Sequence, residues 1–308
     1  MERFQQQYRA LGSEIIITLV MDEADIAHGL MTEIHNKINA FECQFSRFLP
    51  DSELTAFNRR SGKKVRVSDS FLKLLQECKR MAVESEGIYN PFILPALQQA
   101  GYLGSWPNTI DVKEGSDFSD REVVSYEELT IGDGWAQIPK RAALDFGGIG
   151  KGYLLDELAG LLRNYPITGY WFSLGGDIVC GGNDTTGKPW EVGVQSALNH
   201  EAVVDTISNV SSEELAIATS GVMKRRGVKD GSTWHHIIDP RTGLPSSTNI
   251  LTVTVTAKKA TNADVYAKCI VIAGADKARY YQNEGIITSY LIQAEEPEVN
   301  DSGKVVLN

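Results

Sequence analysis

The sequence contains no apolar run of the ~18 to 20 residues that a membrane-spanning helix needs. Residues 1–7, MERFQQQ, also lack the apolar core of a secretion signal. These two absences predict a protein that has no membrane span and works in the cytoplasm. An exported form, produced by removal of a leader, stays open as the alternative.

Cysteine is scarce, and its four residues include no C-x-x-C pair. Isolated cysteines favour buried free thiols over disulfides or metal ligands, and free thiols suit a reducing compartment. The four are Cys43, Cys78, Cys180 and Cys269.

Positive charge is in deficit, with 30 Lys and Arg against 40 Asp and Glu and a net charge of -10. This balance argues against nucleic acid as the main partner, because a phosphate backbone requires a basic surface. An anionic ligand would have to bind in a local pocket of positive charge.

The 308 residues are 42% hydrophobic, which is enough for a sizeable core. No repeat, low-complexity tract or linker divides them, so we expect one domain over residues 1–308. Strand patterns come in groups and helix patterns are not regularly interleaved, which indicates an α+β fold. Periodicity and turn signals predict strands over 14–20, 122–126, 135–138, 170–174, 190–194 and 250–255. They predict helices over 23–45, 70–84 and 263–273, and another that follows the turn at 145–152 and ends near residue 165. A surface excursion is predicted over 103–119.

A glycine-rich turn, DFGGIGKGY, covers residues 145–153. Glycines let backbone N–H groups approach a ligand closely, a helix N-terminus favours anions, and Lys151 adds a positive charge. The segment is neither a Walker loop nor a dinucleotide fingerprint, because Gly152 stands where the first needs Ser or Thr and Tyr153 where the second needs Gly. It predicts a phosphate or pyrophosphate site, with a tight turn and an incidental lysine as the alternative.

Two adjacent histidines, His235 and His236, lie in the segment WHHIIDPRTG, residues 234–243. Consecutive residues of a strand point to opposite faces, so the pair cannot easily bind one metal together. We expect one histidine to face a site while the other packs.

Asp264 lies near the predicted start of the last helix. Its carboxylate either complements the positive end of that helix or holds a hard cation such as Mg²⁺, which prefers carboxylates together with phosphates. Upstream, residues 219–226, TSGVMKRR, supply hydroxyls and positive charge, with a solvated loop as the alternative.

Taken in order, these segments resemble the FAD:protein FMN transferase family, the ApbE-like flavin transferases. The resemblance covers about residues 11–275, and its specificity lies in the ordered set, above all the lysine turn and the HHIIDPRTG segment. The matching motifs are FSRF and DSEL (45–48 and 51–54), GIYNPF (87–92), the turn and following helix (145–156), SLGGDI (173–178), WEVG (190–193), TSG (219–221), HHIIDPRTG (235–243) and AD (263–264).

The resemblance implies an α+β flavin-transferase architecture, related to the T-fold, with FAD in a cleft between two lobes. It implies that Lys151 and Asp145 contact FAD, that His236 lies beside the FAD phosphates, and that the Gly148 carbonyl and Asp264 hold Mg²⁺. The remaining implied cofactor-binding residues are Leu11, Phe48, Asn90, Pro91, Phe92 and Ile237.

The resemblance also implies a reaction and a protein partner. A Ser or Thr hydroxyl of an acceptor protein attacks the FMN phosphorus of FAD, and AMP leaves. The implied catalytic residues are His236, which helps to remove the hydroxyl proton, and Lys151, which steadies the phosphate charge. Arg241 or Arg225 adds charge to the pocket.

The chain departs from the family pattern most clearly at Lys268, where a Thr usually completes the metal site. Lys268 lies four residues after Asp264, on the same helical face, so its ammonium either excludes Mg²⁺ or partly replaces the charge of the ion. Asn90 and Leu94 replace a usual Asp and Gly. These changes keep two alternatives open: a non-catalytic FAD-binding protein, and an FAD pyrophosphatase in which water replaces the acceptor hydroxyl.

Overall fold

The computed structural model describes residues 1–104, 124–229, 232–295 and 304–306, which form seven α-helices and seventeen strands. The helices are α1 Ala24–Phe45, α2 Glu53–Asn58, α3 Asp69–Glu84, α4 Leu94–Ala100, α5 Gly150–Leu161, α6 Ala260–Ala273 and α7 Ala275–Asn283. The strands are β1 Glu2–Ala10, β2 Ser13–Met21, β3 Val65–Arg66, β4 Thr130–Gly132, β5 Trp135–Gln137, β6 Gly169–Leu174, β7 Asp177–Gly182, β8 Glu191–Gln195, β9 Val203–Ser208, β10 Leu215–Gly221, β11 Arg226–Lys229, β12 Ser232–His235, β13 Ile238–Asp239, β14 Leu244–Pro245, β15 Ile250–Ala257, β16 Ser289–Ala294 and β17 Lys304–Val306.

The main sheet has eight strands in the order β1-β2-β6-β7-β10-β15-β16-β17. Neighbouring strands are antiparallel except for the parallel pair β16–β17. A three-stranded sheet, β3-β5-β4, and the two-stranded pairs β8–β9, β11–β12 and β13–β14 complete the described strands. The segregation of helices and antiparallel strands confirms the predicted α+β class.

The two faces of the main sheet carry different layers. On one face, alternate residues of β2 and β10 join the main hydrophobic core with the apolar sides of α1, α5 and α6, as Ile17 and Ala218 do. On the other face, smaller clusters contain Trp171 of β6, Val192 of β8 and Trp190, the residue just before β8. This alternation is the period-two pattern of a sheet that is covered on both faces.

Several predicted elements differ from the observed ones. β1 was not predicted, because its sequence ERFQQQYRA is polar; it is an edge strand that pairs along its whole length with β2. Of the segment 122–126, only residues 124–126 are described; they form no strand, and Tyr126–Glu128 is a 3₁₀ turn whose Glu127 N–H donates to Ser125. Most of the predicted excursion, residues 105–119, lies outside the described residues.

The described residues also bear on the predictions about membrane spans and cysteines. None of their helices is both long and apolar enough to cross a membrane. All four cysteines are free thiols, as predicted, but Cys43 is exposed and only the other three are buried.

Helix α6 begins earlier than predicted, because its cap comes from a distant residue. The Asp156 carboxylate on α5 accepts hydrogen bonds from Ala260 N (2.8 Å), Thr261 N (3.0 Å) and Thr261 Oγ1 (2.7 Å). An oxygen acceptor at the first turn satisfies N–H groups that have no partner within the helix. This contact fixes the N-terminus of α6 against α5.

We expect Asp156→Ala to lower the free energy of unfolding by about 1–2 kcal/mol, the usual cost of losing a helix cap. The neighbouring Glu157→Ala is the control, since it removes only the partly exposed ion pair with Lys37 (3.0 Å) and should cost less than about 1 kcal/mol. Urea denaturation of both variants measures the difference. Equal losses would contradict a capping role for Asp156.

Candidate functional site

A cavity of about 420 Å³ opens between the β1–β2 turn, the end of α1, the glycine-rich turn and the segment before β13. This volume is within the range of small-molecule sites. Its wall contains most of the predicted site residues, namely Leu11, Phe48, Asn90, Asp145, Gly148, Lys151, His236 and Ile237.

The remaining predicted residues lie beside this cavity rather than in its wall. Pro91 and Phe92 are buried in a 3₁₀ turn, and Asp264 is buried below the surface of the site. Asn90 does line the cavity, but its side chain holds the backbone: Oδ1 accepts from Phe92 N (2.9 Å) and Nδ2 donates to Val124 O (2.9 Å). Pro91 and Phe92 stay predicted cofactor-binding residues, in a turn that the Asn90 side chain holds in place.

Asp145 anchors the start of the glycine-rich turn. Its carboxylate accepts from Gly147 N (2.8 Å) and pairs with Arg47 Nε (2.8 Å), and both side chains of this ion pair are buried. The Arg47 guanidinium also lies against the rings of Phe48 and Tyr102, 4.3 and 4.7 Å from their centroids. A planar guanidinium can stack on rings and bind a carboxylate together, so Arg47 joins the turn to the aromatic wall.

Lys151 lies at the beginning of α5, where it lines the cavity and pairs with the buried carboxylate of Asp177 on β7. Asp177 also accepts from Thr219 N (3.3 Å). Burial by itself would lower the pKa of Lys151, but the carboxylates of Asp177 and Asp264 outweigh it, and its pKa lies above the ordinary value. Lys151 is therefore a positively charged ammonium group at neutral pH.

Asp264 ties α6 to the same turn. Its Oδ2 atom accepts from Gly152 N (3.1 Å), while Oδ1 pairs with the ammonium of Lys268. The two helices meet closely here, because a Cβ atom added at Gly152 would lie 2.8 Å from Cβ of Asp264. Asp264 is in the second turn of α6, so the idea that it complements the helix N-terminus is wrong.

The two histidines have separate environments, as expected for neighbours. His235 Nε2 is 3.1 Å from the carbonyl oxygen of Ser246, whereas His236 borders the cavity and its ring lies 6.1 Å from that of Tyr102. Among the described residues, the buried Nδ1 atom of His236 has no hydrogen-bond partner. Burial, followed by the positive charge of Arg225, lowers the pKa of His236 to about 3, so its imidazole is neutral at physiological pH.

Leu11 reaches the cavity through a strained turn. It forms with Gly12 the two-residue connection between β1 and β2, and both have positive φ, 56° and 64°. Two positive φ values match the hairpin turn that suits twisted strands, although a leucine rarely adopts them. The turn brings an apolar side chain to the wall of the cavity.

Some cavity residues were missed by sequence reasoning. Tyr102 lies at the edge of the predicted surface excursion, and no local signal pairs it with Arg47. Asp177 belongs to the SLGGDI motif, but its role as the partner of Lys151 depends on a contact between β7 and α5. Of the two arginines predicted to add charge to the pocket, Arg225 lines the cavity. Arg241 is exposed and pairs with Asp239.

Residues 11–290 match the profile of the ApbE family. The chain belongs to the ApbE family. The match includes all of the predicted site residues, from Leu11 to Lys268, and it confirms the resemblance inferred from the ordered motifs.

Curated relatives of this ApbE-family chain carry the name FAD:protein FMN transferase. The protein from Vibrio cholerae is 29% identical over 251 residues, which are 80% of this chain and 74% of the relative. The protein from Treponema pallidum is also 29% identical, over 267 residues, which are 82% of this chain and 73% of the relative.

Solved structures of ApbE proteins share this fold. The Thermotoga maritima ApbE protein superimposes with a TM-score of 0.82 at 24% identity and covers 94% of both chains. The Vibrio cholerae flavin transferase ApbE gives a TM-score of 0.77 at 24% identity, over 96% of this chain and 95% of the other. These likenesses confirm the α+β flavin-transferase architecture.

We expect Gly152→Ala to destabilise this ApbE-family chain by about 1–3 kcal/mol, because the added methyl group would force α5 and α6 apart. Gly160→Ala in the same helix is the matched control. A Cβ atom there meets nothing within 4 Å, so this change should stabilise the helix by up to about 1 kcal/mol. Thermal denaturation tests the pair, and equal stability of the two variants would contradict the close contact at Gly152.

Proposed function

We propose that this chain is an FAD:protein FMN transferase. The oxygen of a Ser or Thr hydroxyl on an acceptor protein forms a bond to the FMN phosphorus of FAD, and the bond from that phosphorus to the AMP oxygen breaks. The products are a phosphoester-linked FMN on the acceptor and free AMP, and the hydroxyl proton passes to a base. The observation that carries this proposal is a neutral histidine and a charged lysine facing one cavity, at the positions where family motifs place them.

The cavity offers distinct surroundings for the two parts of FAD. Lys151 and the N-terminus of α5 are suited to the pyrophosphate, since an ammonium group and a helix N-terminus both favour anions. The apolar wall formed by Leu11, Phe48 and Tyr102 is suited to a ring system. FAD in this position would lie between the β1–β2 turn and the glycine-rich turn, as the cleft predicted from the resemblance requires.

His236 is the proposed base. Its low pKa leaves one ring nitrogen unprotonated at neutral pH, so the imidazole can accept the hydroxyl proton during attack. Lys151 carries its charge at the same pH and would stabilise negative charge that develops on the phosphoryl oxygens and on the departing AMP. The two residues thus have the protonation states that the reaction needs.

A second candidate function is that of a non-catalytic FAD-binding protein. The pairing of Lys268 with Asp264 favours it, because that ammonium stands at the position predicted for Mg²⁺. Binding of FAD without formation of AMP would distinguish this candidate from the transferase. Release of both FMN and AMP in the absence of an acceptor would instead indicate a pyrophosphatase.

The test is to incubate the protein with FAD and an acceptor domain known to carry phosphoester-linked FMN, and to follow AMP by chromatography and the acceptor by mass spectrometry. We expect equal amounts of AMP and FMN-labelled acceptor. His236→Asn should lower the turnover by about 10²-fold or more, the usual contribution of a general base, with FAD affinity little changed. His235→Asn is the control and should retain most of the activity; equal losses in the two variants would contradict a role for His236 as the base.

A second prediction concerns binding of the pyrophosphate. The double variant Lys151→Met/Asp177→Asn removes the charge of Lys151 without leaving a buried carboxylate unpaired, and we expect it to weaken FAD binding about tenfold or more. The matched control, Lys37→Met/Glu157→Gln, removes an ion pair outside the cavity. Titration of flavin fluorescence measures both affinities. An unchanged affinity in the cavity variant would place the pyrophosphate elsewhere.

A further inference from the structure

Two lysine–aspartate pairs lie side by side at the charged end of the cavity. Lys151 and Lys268 line the cavity, while their partners Asp177 and Asp264 are almost wholly buried, with side-chain exposures of 4% and 1%. Each carboxylate also accepts a hydrogen bond from a backbone N–H group, Asp177 from Thr219 N and Asp264 from Gly152 N. The aspartates therefore fix the positions of two ammonium groups in the wall of the site.

The residues at the predicted magnesium position do not fit a divalent ion. Both carboxylate oxygens of Asp264 are engaged, one by Lys268 and the other by Gly152 N. The other predicted ligand is the carbonyl of Gly148. The Lys268 side chain lies close to this glycine, since a Cβ atom added at Gly148 would lie 3.7 Å from Cδ of Lys268. No cluster of three or more His, Cys, Asp or Glu side chains suited to a metal occurs in the part of the chain that the structure describes.

The charge balance leads to the same conclusion. Hard divalent cations bind through several oxygen ligands, and a neighbouring ammonium both repels the ion and competes for its carboxylate. Lys268 forms its ion pair with Asp264, four residues before it on α6, which is the favourable order for a helical ion pair. Binding of Mg²⁺ at Asp264 would require that this buried carboxylate exchange one cation for another.

Lys268 keeps a donor for a ligand. An ammonium group has three N–H donors. Lys268 Nζ gives one to Asp264 Oδ1 and another to the backbone oxygen of Asp264 (3.2 Å). Among the described residues the third donor has no further partner, so it can bind an anion in the cavity. A charge-assisted hydrogen bond to phosphate is among the stronger ones in proteins.

We propose that the Lys268 ammonium supplies the fixed positive charge that a divalent cation would otherwise provide, so that the chain binds the FAD pyrophosphate without Mg²⁺. This inference rests on the proposed function, because it assigns a part of the same substrate to Lys268. It makes Lys268 a binding residue of the site, alongside Lys151. The site would then be ready for FAD at any concentration of free Mg²⁺.

The test is the FAD affinity, from flavin fluorescence, in EDTA and in millimolar Mg²⁺. We expect the affinity of the unmodified protein to change less than about twofold between the two conditions. Lys268→Thr should weaken binding about tenfold or more in EDTA, with recovery in Mg²⁺, because the hydroxyl frees Asp264 for the ion. Lys258→Thr is the control, an identical change at an exposed position just before α6, and it should behave as the unmodified protein.

Lys268→Thr leaves a buried carboxylate without its ammonium partner, which could prevent folding. A second variant therefore controls for a folding defect. Lys268→Met/Asp264→Asn removes both charges; it should fold, as judged by thermal denaturation, and bind FAD weakly with or without Mg²⁺. Electron paramagnetic resonance with Mn²⁺ gives a readout that needs no FAD. Bound Mn²⁺ is expected in Lys268→Thr and not in the unmodified protein.

The outcomes separate this inference from the proposed function. Tight FAD binding that EDTA abolishes, or stoichiometric Mn²⁺ on the unmodified protein, would overturn the inference and leave the transferase proposal intact. Failure to bind FAD under every condition would overturn both.

Discussion

The contact between Gly152 and Asp264 is the constraint on which the charged end of the cavity depends. It joins the first turn of α5 to α6 through a hydrogen bond from Gly152 N to a carboxylate, at a distance that leaves no room for a side chain at position 152. The same carboxylate positions Lys268, and the adjacent residue Lys151 is positioned by Asp177. A change in the α5–α6 contact would therefore move the groups proposed to bind the pyrophosphate.

The site also shows how an acidic chain can bind an anion. The net charge is -10, yet the cavity wall contains Arg47, Lys151, Arg225 and Lys268. Three of these cations are paired with buried aspartates, Arg47 with Asp145, Lys151 with Asp177 and Lys268 with Asp264. Pairing reduces the cost of burying each charge and fixes its direction, so a ligand with negative charge meets cations that are already positioned.

The elements that sequence reasoning found are those whose own residues contain the signal. Helices α1 and α3 have apolar residues at three- and four-residue steps, and β2 has a β-branched run, so local periodicity was sufficient. The start of α6 was missed because its cap, Asp156, lies 104 residues before Ala260 in the sequence. Edge strand β1 was missed because pairing with β2, and not its own polar sequence, makes it a strand.

The candidate site divides in the same way. The glycine-rich turn, Lys151 and His236 were found because they belong to contiguous motifs. Their partners were not found, since the pairing of Arg47 with Asp145 and of Lys151 with Asp177 is created by the fold. The position of Lys268 beside Asp264 was predicted from helical spacing, and the ion pair confirms it, because a contact across one helical turn is local.

A crystal structure of the FAD complex, grown in Mg²⁺, tests most directly whether Lys151 and Lys268 bind the pyrophosphate. The account predicts pyrophosphate oxygens within hydrogen-bonding distance of the ammonium groups of Lys151 and Lys268, with Lys268 still paired with Asp264 and His236 beside the FMN phosphorus. A Mg²⁺ ion bound to Asp264 with Lys268 displaced, or a pyrophosphate away from the N-terminus of α5, would contradict it.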